Sequence, residues 1–385
     1  MIRIIHICAD EKFIDDAITI FDELENVHSF FFVFTNDKEK KLSLVKSDKA
    51  ITFSSFDEIL SITKKSNYNM AMIHSLFVPY YIVLKIQIPI IWSTWGYDIY
   101  SDQTAPLKKL FPMSLYKPKT RTLLRNEPVK ISFKFTKYAT LLTDRLHKFK
   151  EQQRYSRIVK KTSFFSTVLP IEFDKIKQKN PKALYCPFHY ISKPNSISFH
   201  PAKISLSPNR ILLGNSNDPT NNHFDVLEKL NALNTPLEII IPFSYPFNGT
   251  EYYKRVIEVS ERFENLNITF LKNFIEKSKY FQLTDSCSSA IFGHIRQQAV
   301  GNIVHCLMTG KKVFFYEDSV LFRYYRDLGY TIFSIEKDLN KKTLELELPS
   351  SKKENNKKKC IDEWDYNKQL KELQLFFHNL ASFKK

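Results

Sequence analysis

The sequence predicts an α/β protein built from two doubly wound domains, each with a parallel sheet, and three observations lead to this fold class. The chain has 385 residues, more than one compact core usually holds. Apolar strand-like runs alternate with amphipathic helix-like runs over the first hundred residues, and the same alternation restarts at residue 210. Because such alternation builds parallel sheets with helical crossovers, we expect one sheet in each half.

The elements follow from the spacing of apolar residues. In the first half we expect strands at 2–8, 29–34, 69–74, 89–94 and 163–167, and helices at 13–24, 56–63 and 77–86. In the second half we expect strands at 211–214, 237–241, 268–271, 289–292, 313–316 and 330–333, and helices at 224–233, 251–263, 277–284 and 320–328.

Composition and charge runs set the expected domain bounds. Four prolines between residues 181 and 201 mark a linker that ends near residue 207. We therefore expect a first domain at 1–200, a second domain at 208–350, and a helix within 360–385 that packs back across the domain boundary. The lysine-rich stretch 350–359 has no apolar residue and is expected to be a mobile loop.

Several classes of protein are disfavoured by residue counts. Seven glycines against 33 phenylalanines and 19 tyrosines argue against glycine-rich phosphate loops. The five cysteines are odd in number and form no Cys-x-x-Cys pair, so neither a zinc cluster nor a disulfide framework is expected. No Asp-x-Asp, Walker or Gly-x-Ser-x-Gly motif occurs, so we expect no metal and no cofactor. Without a signal-peptide pattern or a long apolar run, the expected location is cytoplasmic.

The net charge of +16 is concentrated in one segment. Residues 106–161 hold 16 Lys and Arg residues against three acidic ones, interleaved with large apolar side chains. This mixture favours contact with an anionic membrane surface, while a merely solvated face and nucleic acid are the alternatives. The side chains expected to face the membrane are Lys108, Lys109, Lys117, Lys119 and Arg121.

Residues 290–310 form the most informative stretch. A strand end and Gly293 precede a predicted helix whose polar face carries almost no formal charge. The unpaired N–H groups of its first turn and the charge of Arg296 suit a phosphate, and the amide face suits sugar hydroxyls. An ordinary helix cap with a polar surface is the alternative. The candidate donor-binding residues of this stretch are Gly293, His294, Arg296, Gln297, Gln298 and Asn302.

Two further strand ends in the second half carry polar or aromatic side chains. The loop after strand 211–214 contains Gly214, Asn215, Ser216, Asn222 and His223. These residues are candidates for holding phosphate or sugar. The alternative is a turn rich in Asn and Asp, with Thr220 or Asn221 as the cap of the following helix. Tyr245 follows the next strand and is a candidate for stacking on a base, with a rigid proline turn as the alternative.

In the first half, Asp10, His74 and Asp98 each follow a strand and could face a cleft between the domains. His74 and Asp98 are the candidate catalytic bases. An imidazole titrates near neutral pH, and the aromatic neighbours of Asp98 would raise the pKa of its carboxyl. A structural role is the alternative for each residue.

These segments resemble a known family. Residues 213–223, 291–302 and 310–314, together with the Trp95-Gly96-Tyr97-Asp98-Ile99-Tyr100 motif, are similar to the TDP-N-acetylfucosamine:lipid II N-acetylfucosaminyltransferase family, glycosyltransferase family 56, described as 4-alpha-L-fucosyltransferase-like. The similarity covers most of the second half and one stretch of the first, and the Arg296-Gln297-Gln298 segment is its most specific part.

The resemblance implies a GT-B glycosyltransferase with two Rossmann-like domains, of which 1–200 would be the acceptor domain and 208–350 the nucleotide-sugar-binding domain. It implies a dTDP-linked amino-deoxy sugar as donor, a polyprenyl-diphosphate-linked saccharide as acceptor, and a role in bacterial surface polysaccharide synthesis at the inner face of the cytoplasmic membrane. Nucleic acid is not an expected partner under this reading. The alternative hypothesis is a non-catalytic basic protein that binds anionic lipid or nucleic acid through residues 106–161.

Overall fold

The computed structural model describes the backbone of residues 1–36, 41–65, 67–125, 137–193, 207–246, 249–273 and 275–382, and the side chains of these residues except 137–145, 277–278 and 382. Part of the basic segment, 126–136, and part of the predicted linker, 194–206, lie outside the described residues. The described residues contain two large parallel sheets, as the alternation of strand and helix patterns predicts.

The first sheet has seven parallel strands in the order β3-β2-β1-β4-β5-β8-β9. A separate two-stranded pair, β6 with β7, follows the fifth strand. The strands of the first half are β1 (Ile2–Ala9), β2 (Val27–Phe34), β3 (Ala50–Phe53), β4 (Met70–His74), β5 (Ile90–Ser93), β6 (Tyr100–Asp102), β7 (Phe111–Met113), β8 (Phe164–Ser166) and β9 (Leu184–Tyr185). The helices are α1 (Ile14–Asp22), α2 (Phe56–Lys65), α3 (Tyr80–Lys85), α4 (Pro118–Arg125), α5 (Lys137–Lys161) and α6 (Pro170–Lys179).

The second sheet has six parallel strands in the order β12-β11-β10-β13-β14-β15. They are β10 (Ser207–Leu213), β11 (Leu237–Pro242), β12 (Leu266–Leu271), β13 (Cys287–Phe292), β14 (Lys312–Phe315) and β15 (Phe333–Ser334). The remaining helices are α7 (His223–Asn231), α8 (Glu251–Ser260), α9 (Lys277–Asp285), α10 (Val300–Met308), α11 (Val320–Asp327), α12 (Lys341–Glu345), α13 (Ser350–Glu363) and α14 (Tyr366–Ser382).

The central strands are covered on both faces, which explains their continuous apolar runs. Ile4, Ile5 and Ile7 of β1 have no exposed surface, and neither have Ile211 and Leu213 of β10. Parallel strands end at one edge of each sheet, so the loops after β1, β4, β5, β10, β11 and β13 collect there. The candidate residues of both halves lie on these loops.

The prediction of a mobile loop at 350–359 is wrong, because α13 spans the lysine-rich stretch. Cys360 has 1% of its surface exposed and Asn356 has none, and these side chains lie four residues apart on the face that packs inward. The Asn356 amide accepts the Thr331 N–H at 2.8 Å and donates to the Thr331 carbonyl at 3.0 Å. Lysines on the opposite face do not oppose helix formation, because lysine has a good helix propensity.

The last helix, α14, packs on the first sheet although it follows the second along the chain. Leu373 and Phe377 are buried in one cluster with Ile4 and Phe21, and the Phe164 and Phe376 rings lie 5.4 Å apart. Gln374 forms two hydrogen bonds with the backbone of Glu25, at 2.7 and 3.1 Å. The helix α14 therefore packs on the half of the protein that contains β1.

Candidate functional site

The loop after β10 is organised by the Asn221 amide. Its Oδ1 accepts the Asn215 N–H at 3.1 Å and lies 2.8 Å from Nε2 of His294, while its Nδ2 donates to the carbonyls of Ser216 and Asp218. Gly214 has φ +69°, and a Cβ there would stand 2.6 Å from the Asn221 Oδ1. Glycine is required at this position by both its conformation and the available space.

Asn222 connects three loops. It adopts a left-handed conformation at φ 50°, which asparagine tolerates better than most residues. Its amide donates to the Gly293 carbonyl at 2.7 Å and the Leu115 carbonyl at 3.2 Å, and accepts the Lys117 N–H at 2.8 Å. Asn222 has no exposed surface. It therefore positions these loops, whereas the sequence had suggested direct contact with the donor.

His223 is also buried, at the start of α7, with its Nδ1 3.0 Å from the Tyr252 hydroxyl. Burial lowers the pKa of His223 to about 3, so its imidazole is neutral at physiological pH. Thr220 takes part in the hydrogen-bond network as well, because its hydroxyl donates to the Gln298 Oε1 at 2.7 Å. Gln298 in turn donates to the Asn215 Oδ1 at 3.0 Å, which joins the two candidate segments of the second half.

The helix predicted directly after Gly293 begins later, and this corrects the sequence interpretation. Residues 293–299 are an irregular loop and α10 starts at Val300, after Ala299 with φ 59°. His294, Gln297 and Gln298 are therefore not on one helix face. All three are buried in the loop, and the Gly293 segment has no helix N-terminus to offer a phosphate. Asn302 lies in the first turn of α10 and is half-buried.

The two motifs that carry the family resemblance lie in contact. Gly96 in the first half has φ +83°, and a Cβ there would stand 2.5 Å from the Gln297 Oε1 and 2.7 Å from its carbonyl oxygen. The Arg296 guanidinium follows at 3.2 Å. The loop after β5 and the loop after β13 thus meet backbone to side chain, and only glycine allows that approach.

Arg296 is the charged centre of this junction. Its side chain is 7% exposed, its Nη1 donates to the Gln297 carbonyl at 3.0 Å, and its Nη2 lies 3.7 Å from Asp218. Burial lowers the pKa of Arg296, and Asp218 is the largest opposing influence. Asp218 also accepts the Thr220 N–H at 2.8 Å and the Thr220 hydroxyl at 2.7 Å. Its negative charge is therefore divided between Thr220 and the Arg296 guanidinium.

A second cation, from the first half, lies near Arg296, because Lys109 contacts Tyr97 and the Arg296 guanidinium lies next to Gly96. The Lys109 ammonium donates to the Tyr97 carbonyl. Burial lowers the pKa of Lys109, Asp98 opposes that shift, and repulsion from Arg296 adds to it. Two positive charges that repel each other in a partly buried site can bind an anion. Two buried atoms nearby, the Gln297 Oε1 and the His294 Nδ1, have no hydrogen-bond partner in the described part of the chain.

The candidate bases of the first half are fully engaged. Asp98 is 2% exposed and accepts the Leu76 N–H at 3.0 Å, the Trp92 Nε1–H at 2.8 Å and the Trp95 N–H at 2.9 Å. Burial raises the pKa of Asp98, and these three donors oppose the shift. Its carboxylate shapes the 95–100 loop, and the structure leaves it no open approach from solvent.

His74 has no exposed surface and lies inside the first sheet layer. Its Nε2 is 2.9 Å from the His6 Nδ1, and its Nδ1 is 2.6 Å from the Tyr190 hydroxyl. Burial lowers the pKa of His74 to about 3. With both ring nitrogens occupied in the interior, His74 does not reach a substrate in this structure.

The lysines and arginine expected on a membrane face each have a partner within the protein. Lys117 lies 3.0 Å from Asp318 and 4.2 Å from the Tyr316 ring, Arg121 lies 3.2 Å from Asp102, and Lys119 lies 3.4 Å from Glu228. The Lys108 ammonium donates to the Gln103 carbonyl, and Lys109 lies beside Arg296. Residues 108–121 thus connect the two halves, because carboxylates remote in sequence pair with their charges.

Tyr245, after β11, keeps 45% of its surface exposed. The Tyr245 carbonyl accepts the Asn217 N–H at 2.8 Å, which fixes this loop to the one after β10. Its ring is therefore open at the same edge of the sheet as Arg296. Sequence reasoning missed Lys109, Asp218 and Asn221 as residues that build this edge, since their roles depend on partners distant along the chain.

No group of three His, Cys, Asp or Glu side chains is arranged to hold a metal ion within the described ranges. Among the helices that the structure describes, none is both long and apolar enough to span a bilayer.

The two Rossmann-like sheets, with their loops meeting at the carboxyl edges, define the GT-B class of glycosyltransferases. Similar solved structures include sucrose-phosphate synthase from Thermosynechococcus elongatus, with TM-score 0.63, 7% identity, and coverage of 99% of this chain and 100% of that one. Anabaena HepE in complex with UDP and glucose has TM-score 0.56 and 12% identity, covering 99% and 100%. An alpha,alpha-trehalose-phosphate synthase (UDP-forming) from Burkholderia vietnamiensis has TM-score 0.55 and 8% identity, covering 98% and 99%.

The chain belongs to the family described as 4-alpha-L-fucosyltransferase, glycosyl transferase group 56, whose model matches residues 143–339. The matched range contains both second-half loops. This confirms the family that the sequence motifs had indicated, and it establishes the protein as a glycosyltransferase in place of the non-catalytic alternative.

Proposed function

We propose that this glycosyltransferase moves an amino-deoxy sugar of the N-acetylfucosamine type from a dTDP-sugar to a polyprenyl-diphosphate-linked saccharide, in the assembly of a bacterial surface polysaccharide. The observation that carries the proposal is the pairing of two cations across the junction of the two halves. Arg296 is buried with shared compensation from Asp218, and Lys109 approaches it from the opposite loop.

A diphosphate accounts for this arrangement. When the bond between the sugar and the diphosphate breaks, negative charge grows on the leaving oxygen. A guanidinium and an ammonium that already face each other stabilise that charge without rearranging, and no metal ion is required in the proposed step. The exposed Tyr245 ring is available to stack on the base of the donor.

The test is donor-dependent thermal stabilisation, first with dTDP and thymidine and then with a panel of nucleotide sugars. Binding to the folded state raises the melting temperature by an amount that grows with the logarithm of the ratio of ligand concentration to Kd. We expect dTDP to stabilise the protein and thymidine, which lacks the diphosphate, to have little effect. Arg296→Ala and Lys109→Gln should each weaken dTDP binding at least about tenfold, because each removes a charge-assisted contact of about 1.5 kcal/mol or more.

Arg262→Ala is the matched control, since Arg262 is 72% exposed and pairs only with Glu258 at 3.6 Å. Its dTDP response should equal that of the wild type. A diphosphate response that survives in the double variant Arg296→Ala, Lys109→Gln would contradict the site assignment. Stabilisation by UDP-sugars alone would contradict the thymidine part of the proposal.

The same proposal includes peripheral attachment to the inner face of the cytoplasmic membrane, supported by α5. Leu146 and Phe149 on this helix are 58% and 61% exposed, next to the exposed Lys148 and Lys150. Apolar and cationic side chains side by side suit the boundary of an anionic bilayer. We expect the double variant Leu146→Ser, Phe149→Ser to lose sedimentation with vesicles of equal parts phosphatidylglycerol and phosphatidylcholine. Leu328→Ser is the control and should sediment like the wild type. Unchanged vesicle binding by the double variant would remove α5 from the proposal.

A further inference from the structure

The loop between β1 and α1, residues 10–13, lies between the two motifs of the candidate site. The Phe13 ring is 6.0 Å from the Trp95 ring of the first half. The Lys12 ammonium is 5.9 Å from the Tyr245 ring of the second half. Glu11 directly precedes these two residues in the same loop and is half-buried. Its backbone is fixed by a hydrogen bond from the Ile14 N–H to the Glu11 carbonyl, 3.1 Å long, at the start of α1.

The Glu11 carboxylate acts on the aromatic residues around it. Burial is the main cause that raises the pKa of Tyr97 and of Tyr245, and the negative charge of Glu11 adds to the shift in both phenols. Tyr97 belongs to the loop that contacts Arg296, and Tyr245 to the loop that is open for a base. The Glu11 charge thus acts on one tyrosine in each half, and the neighbouring Phe13 and Lys12 contact the same two loops through Trp95 and Tyr245.

Other acidic groups at this edge are already used by the protein. Asp10 accepts the N–H groups of Ser43, Leu44 and Val45 at 2.6, 3.0 and 2.9 Å. Asp98 accepts three N–H donors, as described above. Glu172 accepts the Tyr100 hydroxyl at 2.9 Å and the Leu169 N–H at 3.0 Å. In the described part of the chain, the Glu11 side chain has neither a hydrogen bond nor an ion pair.

We propose that Glu11 is the catalytic base that takes the proton from the acceptor hydroxyl. The inference rests on the proposed transfer from a nucleotide sugar. In the step, the hydroxyl oxygen forms a bond to the anomeric carbon of the donor as its proton passes to the Glu11 carboxylate. The bond between that carbon and the diphosphate oxygen breaks, and its electron pair leaves with the diphosphate, which Arg296 and Lys109 hold. The anomeric configuration is inverted, because attack and departure occur on opposite faces.

The setting of Glu11 suits this task. Burial raises the pKa of Glu11, while Lys12 opposes the shift and Asp10 adds to it. A carboxylate with a raised pKa is a stronger base than a solvated one. The exposed Phe13 and Tyr97 rings provide an apolar border that limits water around the reacting hydroxyl.

The experiment compares Glu11→Gln, Glu11→Asp and Glu11→Ala in sugar transfer from dTDP-N-acetylfucosamine to a polyprenyl-diphosphate-linked saccharide. Loss of a general base typically costs about 10²–10⁴-fold in rate, and we expect kcat of Glu11→Gln to fall by that factor. Its dTDP-dependent thermal stabilisation should stay at the wild-type value. Glu11→Asp should keep part of the activity, and added formate should restore part of kcat in Glu11→Ala but not in Glu11→Gln, where the amide fills the space.

Glu264→Gln is the matched control, because Glu264 is exposed on the second half. Its kcat should equal that of the wild type. Three outcomes would overturn the inference: transfer by Glu11→Gln within about threefold of wild type, a loss of dTDP stabilisation in the same variant, or a product that retains the donor's anomeric configuration. If the wild-type protein itself fails to respond to dTDP, the proposed donor fails, which is a result distinguishable from all three.

Discussion

The buried imidazole of His74 should make the first sheet labile in acid. Burial lowers the pKa of His74 to about 3 in the folded protein, against about 6.5 for a histidine in an unfolded chain. A group whose pKa is lowered by folding contributes stability that is complete above the unfolded value and is lost as the pH falls toward the folded value. The loss therefore develops between about pH 6.5 and pH 3.

The magnitude follows from the two pKa values. Each unit of separation is worth about 1.4 kcal/mol, so lowering the pH from 7 to 5 removes about 2 kcal/mol of unfolding free energy through His74 alone. Domains commonly have only about 5–15 kcal/mol in total. His6 adjoins His74 at 2.9 Å, and its pKa is also lowered, first by burial and then by the charge of His74.

The assay is urea unfolding at pH 7 and at pH 5, followed by tryptophan fluorescence. Trp95 is a suitable reporter because its Nε1 donates to the Tyr190 hydroxyl at 2.9 Å, the same hydroxyl that contacts His74. His74→Gln lacks the titrating ring, so its loss of stability between the two pH values should be smaller than the wild-type loss by about 2 kcal/mol.

His28→Asn is the matched control, since His28 is exposed on β2 and its replacement should leave the wild-type loss unchanged. If His74→Gln loses as much stability as the wild type between pH 7 and pH 5, the assignment of acid lability to this pair is refuted. Equal unfolding slopes in urea at both pH values would show that the difference lies in stability and not in the compactness of the unfolded chain.

The remaining predictions concern two glycines with opposite surroundings. Gly96→Ala should lower the free energy of unfolding by about 1–3 kcal/mol and reduce sugar transfer, because the position has φ +83° and the new Cβ would stand 2.5 Å from the Gln297 Oε1. A melting temperature and kcat equal to the wild type would contradict the close contact of the two loops. Gly301→Ala should instead raise stability by about 0.5–1 kcal/mol, since Gly301 lies in α10 with no atom within 4 Å of the new Cβ; thermal unfolding that shows a loss would contradict the helical assignment at that turn.

The strands could be predicted from sequence because their signal is local. The runs at 2–8, 69–74 and 237–241 are apolar on both faces, and buried parallel strands read that way. The polar loops at strand ends were also identifiable, because parallel sheets collect ligand sites at one edge. Gly214 and Gly293 lie in these loops and Gly96 lies in the motif of the family resemblance. The structure shows the close approaches that require glycine at all three positions.

The errors share a physical origin in partners distant along the chain. Residues 294–305 match the helical period, yet Ala299 takes a left-handed conformation. The Gln298 amide contacts Asn215 and Thr220, and the His294 imidazole contacts Asn221. The lysines at 117 and 119 read as a free basic surface because Asp318 and Glu228 follow more than a hundred residues later. Local patterns carry no information about such pairs.

The return of α14 to the first sheet has a consequence for how the chain is made. Phe21, Ile4 and Phe164 pack against Leu373, Phe376 and Phe377, so the first body cannot cover this apolar face until the chain has been synthesised through α14. The second sheet, whose strands lie between residues 207 and 334, has all of its strands synthesised by then. Of the two halves, the one synthesised earlier is thus completed later, and removal of the 17-residue helix α14 would damage that half first.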